Sequence, residues 1–306
     1  VLISKGVEEA KHDFGEITDW GIEYKIAHIE HTKDTLSVAV RIYLNAKEDA
    51  KTLFGEFETW GTSEIEDMSE LFSNEKHGDT SGITDDDGIL EKIVSWDTKK
   101  VTTFTKMFKG CIALQNSQGH QIDTSAAKDI EGMFHDCESL VKSPISNMGK
   151  VEKATDLFNG AKSLVDDELS KLRPITLINA TRMFSGAEKF NSKISNWKTS
   201  SLEYAEEMFK DCKAFNVSIN ALFQGKITTV KGMLKGATSF NKDLNALLTD
   251  GITDFSEFLS GATAFNGKVG TLVGKEATHI SNMFEGCSSF NTRVENFVVT
   301  GVEEAI

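Results

Sequence analysis

The chain of 306 residues is acidic, with a formal net charge of −14, and its 39% hydrophobic and 26% charged residues are ordinary for a soluble globular protein. An acidic protein lacks the basic face that nucleic acids and anionic membranes require, so both are disfavoured as partners. Apolar runs are also shorter than the roughly 18 residues of a transmembrane helix, so no such segment is predicted.

The first elements in chain order lie outside the repeats described below. The stretches "GIEYKIAHIEH" (21–31) and "TLSVAVRIYL" (35–44) alternate apolar and polar residues and are joined by "TKD". This alternation predicts a β-hairpin. Because a repeat array needs its first apolar face covered, we predict that residues 1–56 form an N-terminal β cap and that 57–306 form the repeat domain.

A nonapeptide then recurs, as in "MFSGAEKFN" (183–191), "MLKGATSFN" (233–241) and "MFEGCSSFN" (283–291). After a first step of 36 residues, the steps between its first residues are 24 to 26. We call this first residue the anchor, position 0, and number the other repeat positions from it. The anchors are Leu71, Met107, Met133, Leu157, Met183, Met208, Met233, Phe258 and Met283.

Apolar residues also recur at positions −6, −3, +1, +4 and +7, a spacing that fits one face of a helix. A sparser apolar rhythm follows, such as Ile194 and Trp197, and predicts an extended return. One repeat buries too little apolar surface to fold alone, so neighbours must stack. The predicted fold is therefore an α/β, leucine-rich-repeat-like solenoid of nine repeats of about 25 residues.

The repeat carries a family resemblance. "MFSGAEKFNSKISNWKTSSLEYAEEMF" (183–209) resembles the short tandem repeat of bacterial surface proteins that is abundant in mycoplasma surface lipoproteins. "MFKGCIAL" (107–114) is similar to the helix side of the related BspA-like leucine-rich repeats. The resemblance covers about residues 60–306 and implies a surface or secreted protein that acts in adhesion or binding. It implies no catalytic residue and no cofactor.

Two repeat positions suggest stacking. Asn recurs at +8, where we expect its side chains to bridge successive repeats rather than to hold a ligand. Cys and Ala exchange at +4, which indicates a small buried slot. Neighbouring helices lie about 8–10 Å apart, too far for a disulfide, which needs Cα atoms within about 7 Å. Buried thiols are therefore expected at Cys111, Cys137, Cys212 and Cys287.

An insertion at 75–90 contains four aspartates, within "HGDTSGITDDDGIL" (77–90). Carboxylate oxygens suit calcium, but the spacing matches no known calcium loop, so a solvated loop is the alternative. The weak candidate ligands are Asp79, Asp85, Asp86 and Asp87. His28 and His31 would point to opposite faces of a strand and could not share an ion. No resident metal or other cofactor is predicted.

Outward residues of the return form a polar row at +10 that could bind a protein or glycan, or simply be solvated. Its members are Lys193, Ser218, Asp243, Lys268 and Arg293. No nucleophile-elbow or phosphate-loop motif is present, which disfavours an enzyme. Val302 and Ala305 fall on the −6 and −3 positions of a further, partial repeat. The predicted function is extracellular adhesion or recognition; the alternative is a structural subunit that assembles into fibres or sheaths through its open solenoid end.

Overall fold

The computed structural model describes residues 30–74, 83, 87–245, 247, 249–270, 272 and 276–293. Helices are few in these ranges: α1 at Lys33–Asn45, α2 at Lys47–Phe54 and α3 at Ile89–Ile93. Short 3-10 segments lie at Phe57–Thr59, Asp167–Lys171 and Asn220–Leu222. The rest of the described chain consists of turns and irregular coil, so the predicted α/β solenoid of helices and strands is wrong.

The predicted β-hairpin cap is also wrong, because its second strand is α1. The Thr32 side chain accepts a hydrogen bond from the Thr35 backbone N–H, and the Thr35 side chain accepts one from the Thr32 backbone N–H. The two bonds form a capping box at the start of α1. The alternating sequence conceals a helical face, because the buried residues of α1 are Leu36, Ala39, Val40, Ile42 and Tyr43. Most of the predicted first strand (21–31) lies outside the described residues.

Successive repeats stack through a repeated backbone hydrogen-bond pattern. In the repeat of Met107, the N–H groups of Phe104, Lys106, Phe108 and Gly110 donate to carbonyls of the next repeat. Between them, the N–H groups of Met107 and Lys109 donate to the carbonyl three residues earlier in their own repeat. Alternate residues therefore close turns and join neighbours. The same pattern recurs up to the Phe258–Met283 step.

Left-handed residues explain why the predicted repeat helix does not form. At position −1 all nine residues have positive φ, from Glu70 at 60° to Asn282 at 55°. At +3 eight more do, from Gly110 at 78° to Gly286 at 70°. Two left-handed residues four positions apart break any right-handed helix. The glycine that recurs at +3, within "SGA" and "KGA", could have indicated this turn from the sequence.

Side chains at +3 constrain the following repeat. A Cβ added to Gly236 would lie 2.2 Å from Asp211 Oδ1, and one added to Gly160 would lie 2.5 Å from Asp136 Oδ1. The same holds for Gly110 under Asn74, at 2.3 Å from its Nδ2. A side chain at +3 thus requires a glycine at +3 of the next repeat. Where glycine follows glycine, as at Gly261, the nearest atom is 3.5 Å away and space remains.

The core is a continuous cluster from Leu36 to Met283, and the apolar positions predicted from the sequence supply it. Phenylalanines at +1 stack from repeat to repeat, with ring centroids 5.0–5.8 Å apart from Phe72 to Phe209. A second stack at +7 runs from Phe190 to Phe290 at 5.5–6.0 Å. The apolar periodicity was therefore predicted correctly, although turns rather than a helix produce it.

Pairing between repeats is limited to single parallel bridges, so the described residues contain no strand. One residue per repeat, at −4, bridges its equivalent in the next, from Asp67–Thr103 to Asp254–His279. Backbone pairs of this type lie about 4.8 Å apart, far closer than the helix spacing predicted. The turns on either side prevent each bridge from extending into a strand.

Candidate interaction surface

The most regular polar surface of the described chain consists of the −4 and −2 positions, which we call the bridge face. Its −4 row is Asp67, Thr103, Asp129, Lys153, Asn179, Tyr204, Thr229, Asp254 and His279. Its −2 row is Ser69, Thr105, Glu131, Thr155, Thr181, Glu206, Lys231, Ser256 and Ser281. All of these except Ser256 are half-buried or exposed. The side chains stand on backbone tied to both neighbouring repeats, so the surface is rigid.

The −4 residue has a structural task. Its side-chain oxygen accepts the N–H of the −2 residue, as in Ser69 N–H to Asp67 Oδ1 at 2.7 Å and Thr181 N–H to Asn179 Oδ1 at 2.9 Å. The same bond occurs at Asp129 and Asp254, and a threonine hydroxyl accepts it at Thr103 and Thr229. Asp, Asn and Thr therefore suit this position because their short side chains reach a backbone donor two residues ahead.

Tyr204 departs from that pattern. Within the described chain it makes no such bond, and the residue is 42% exposed. It is the one aromatic residue among the exposed large hydrophobic side chains described. Lys153 and His279 depart as well, but Lys153 lies 3.6 Å from Asp129 Oδ2 and His279 Nδ1 lies 2.8 Å from the Thr278 hydroxyl. Tyr204 thus replaces a structural oxygen with a ring that faces solvent.

Ion pairs border the bridge face. Arg182 donates two hydrogen bonds, of 2.7 and 2.8 Å, to the Asp156 carboxylate of the preceding repeat. Partial burial raises the pKa of Asp156, but the hydrogen bonds from Arg182 and Asn159 and the positive charge of Arg182 together outweigh it and hold that pKa below its usual value. Lys235 pairs with Glu257 in the next repeat. Acidic and basic groups compensate each other here, so the surface has no strong field of one sign.

The row predicted at +10 is less organised. Lys193, Asp243, Lys268 and Arg293 are exposed, and Ser218 is half-buried. Only Asp243 and Lys268 are directly joined in the described chain, by the Lys268 N–H to Asp243 Oδ1 at 2.9 Å. Since this bond is to the backbone, Asp243 supports the stacking of repeats. Binding by this row remains a prediction.

The calcium candidate falls mostly outside the described residues, which include neither Asp79, Asp85 nor Asp86. Asp87 is described, and its carboxylate pairs with Lys47 of α2 at 3.0 Å. No cluster of three or more His, Cys, Asp or Glu side chains suited to a metal occurs in the described ranges. His28 is outside them, and His31 is buried against Phe54 and Trp60. Calcium binding is therefore neither supported nor contradicted.

The four cysteines are free thiols; Cys111, Cys137 and Cys212 are buried, as predicted, whereas Cys287 is only half-buried. Each donates to a carbonyl of the preceding repeat, at 3.4 Å for Cys111, 3.1 Å for Cys137, 2.9 Å for Cys212 and 3.2 Å for Cys287. Burial raises the pKa of each of the last three thiols, that of Cys287 to about 11. The argument from helix spacing was wrong, because no helices carry these residues. The outcome follows from burial and the bond to the carbonyl.

The asparagines at +8 bridge successive repeats, as expected. Asn191 Oδ1 accepts the N–H of Asn216 at 2.8 Å, and Asn216 Oδ1 accepts that of Asn241 at 3.0 Å. The bonds continue to Asn266 and Asn291, each at 2.8 Å. Because these amide oxygens point along the stack at backbone N–H groups, the asparagines are structural.

A row of buried threonines at −9 was not recognised from the sequence. The hydroxyls of Thr62, Thr98 and Thr124 donate to carbonyls of the next repeat at 3.1, 2.7 and 2.6 Å. Thr199 does the same to Leu222 and Ala221. Threonine recurring at one repeat position was the available indication. These bonds fix the register of the return segments and carry no chemistry of their own.

Three segments, residues 43–171, 145–224 and 224–305, match a family described as "Mycoplasma protein of unknown function, DUF285". The chain belongs to this Mycoplasma family. The three matches confirm the predicted repetition and the mycoplasma part of the resemblance. They show no relation of the family to BspA-like leucine-rich repeats. No curated protein matches the chain.

None of the described helices is both long enough and apolar enough to cross a lipid bilayer.

Proposed function

We propose that this member of the DUF285 family is a non-enzymatic binding protein that acts outside the cell or at its surface, in adhesion or recognition of a protein or glycan. The observation that carries the proposal is the bridge face, where equivalent side chains project at every repeat from a backbone bonded on both sides. The −2 side chains of such a surface can vary from repeat to repeat, because the hydrogen bonds that join the repeats use the backbone. Recognition is the use to which such a surface is suited.

Binding to immobilised matrix proteins, to a printed glycan array and to cultured epithelial cells tests the proposal. The matched control is Met233→Asp, which places a charge at a fully buried anchor and should unfold the stack. We expect saturable binding by the native chain and none by the control. Absence of binding to all three targets, or equal binding by the control, would overturn it.

The second candidate, a structural subunit, is favoured by the uniformity of the stacking bonds. The donors of each repeat meet the same set of carbonyls in the next, so a further copy could continue the pattern. Molecular mass measured by light scattering over a wide concentration range, with electron microscopy of the same samples, tests this. Growing rods would support assembly, and a constant monomer mass would exclude it.

A further inference from the structure

We propose that Tyr204 is the centre of a shallow site for a neutral glycan, in which the tyrosine ring stacks on a sugar ring. This inference rests on the proposed binding function and narrows its ligand class. Tyr204 holds a bridge position whose usual side chain accepts a backbone N–H, whereas Tyr204 itself is 42% exposed. An exposed tyrosine presents a flat apolar ring and a polar hydroxyl together, a combination that binding sites use, so Tyr204 is a candidate for binding.

The surroundings of Tyr204 are polar and fixed in place. Asn179 and Thr229 flank it in the −4 row, each bridged to its backbone. Glu206, two residues ahead, accepts a hydrogen bond from the Thr181 hydroxyl at 2.9 Å. Asn179 Oδ1 accepts the Thr181 N–H, so the donors that this side chain can offer a ligand are its amide N–H groups. An aromatic ring is thus surrounded by carboxylate, amide and hydroxyl groups within the adjoining repeats.

This chemistry matches a sugar better than a protein partner. A pyranose ring has an apolar C–H face and a rim of hydroxyls, so it needs one exposed ring and several hydrogen-bonding groups. A protein interface instead needs a contiguous apolar centre with several large anchors. The other exposed large apolar side chains described, Val94, Ile112, Val165 and Ile175, occupy other repeat positions than Tyr204.

Charge favours a neutral ligand. Residues 87–293 contain 24 acidic and 25 basic residues, so the acidity of the protein arises almost entirely outside this segment. Around Tyr204, Glu206 and Lys231 have opposite signs in neighbouring repeats. No excess of positive charge is present to attract sialylated or sulfated chains, and steering by charge is weak. The structure therefore points to uncharged hexose or N-acetylhexosamine units.

The test uses the full chain on an array of neutral and acidic oligosaccharides, followed by titration of the best neutral binder. Tyr204→Ala should weaken binding at least tenfold, whereas Tyr204→Phe, which keeps the ring, should stay within about threefold. Ile175→Ser, which removes an exposed apolar side chain from another position, is the control and should leave affinity unchanged. Circular dichroism and urea unfolding establish that each variant is folded.

Three results would overturn the inference: no neutral glycan bound, a preference for acidic glycans, or undiminished binding by Tyr204→Ala. The proposed function is judged separately. If the native chain binds cells or matrix proteins and Tyr204→Ala does so equally well, the binding function stands and the glycan site does not. If nothing is bound at all, both fail.

Discussion

Gly236→Ala gives the sharpest test of the turn geometry. Gly236 has φ of +70°, and an added Cβ would lie 2.2 Å from Asp211 Oδ1 of the preceding repeat. A left-handed alanine costs about 1–2 kcal/mol. Displacing the exposed Asp211 carboxylate from its rotamer adds about 0.5–1.5 kcal/mol. We expect a total loss of about 1.5–3.5 kcal/mol in the free energy of unfolding.

Gly261→Ala is the matched control in the next repeat. Its φ is +74°, but an added Cβ would lie 3.5 Å from the backbone of Gly236, an ordinary contact. Only the left-handed cost of about 1–2 kcal/mol should therefore appear. Urea unfolding of both variants, alone and combined with Asp211→Gly, completes a double-mutant cycle. The extra loss at Gly236 should vanish when Asp211 is removed. Equal losses at the two glycines, or an unchanged loss without Asp211, would refute the steric argument.

Three further predictions concern stability. Phe240→Ala should cost about 3–5 kcal/mol, since the ring is fully buried in the +7 stack, whereas the neighbouring Lys242→Ala should cost under about 0.5 kcal/mol; similar urea midpoints would contradict this. Because the pKa of Asp156 is lower in the folded chain than the usual value of about 3.9, this carboxylate stabilises the fold above that pH, and the contribution is lost as the pH falls below it. Arg182→Gln should therefore lower the free energy of unfolding by about 1 kcal/mol at neutral pH and make its decrease at acid pH less steep. Burial raises the pKa of Cys287 to about 11, whereas that of an unfolded thiol is about 8.5, so the neutral thiol stabilises the fold below the lower value and this contribution is lost between the two. Cys287→Ala should therefore lessen the decrease in stability measured across that pH range. An unchanged decrease would count against burial of this thiol.

Part of the candidate interaction surface could be predicted from the sequence and part could not. Outward polar rows were predicted, but the row chosen at +10 contains one direct link, between Asp243 and Lys268, and that link serves stacking. The significance of Tyr204 depends on the oxygen that its equivalents supply to a backbone N–H, as Asn179 does for Thr181. A single side chain's departure from a hydrogen-bonding role is visible only once the role itself is known.

The sequence by itself determined which residues are buried and how the repeats are matched, because burial at −6, −3, 0, +1, +4 and +7 depends only on apolar character at a fixed spacing. It also determined that Asn at +8 joins neighbours, as Asn191 and Asn216 do. Only the tertiary structure decided the backbone. An inward side chain every three or four residues suits a helix and a chain of turns alike. The left-handed conformations at −1 and +3 are stable only when a neighbouring repeat accepts hydrogen bonds from the backbone N–H groups at these positions.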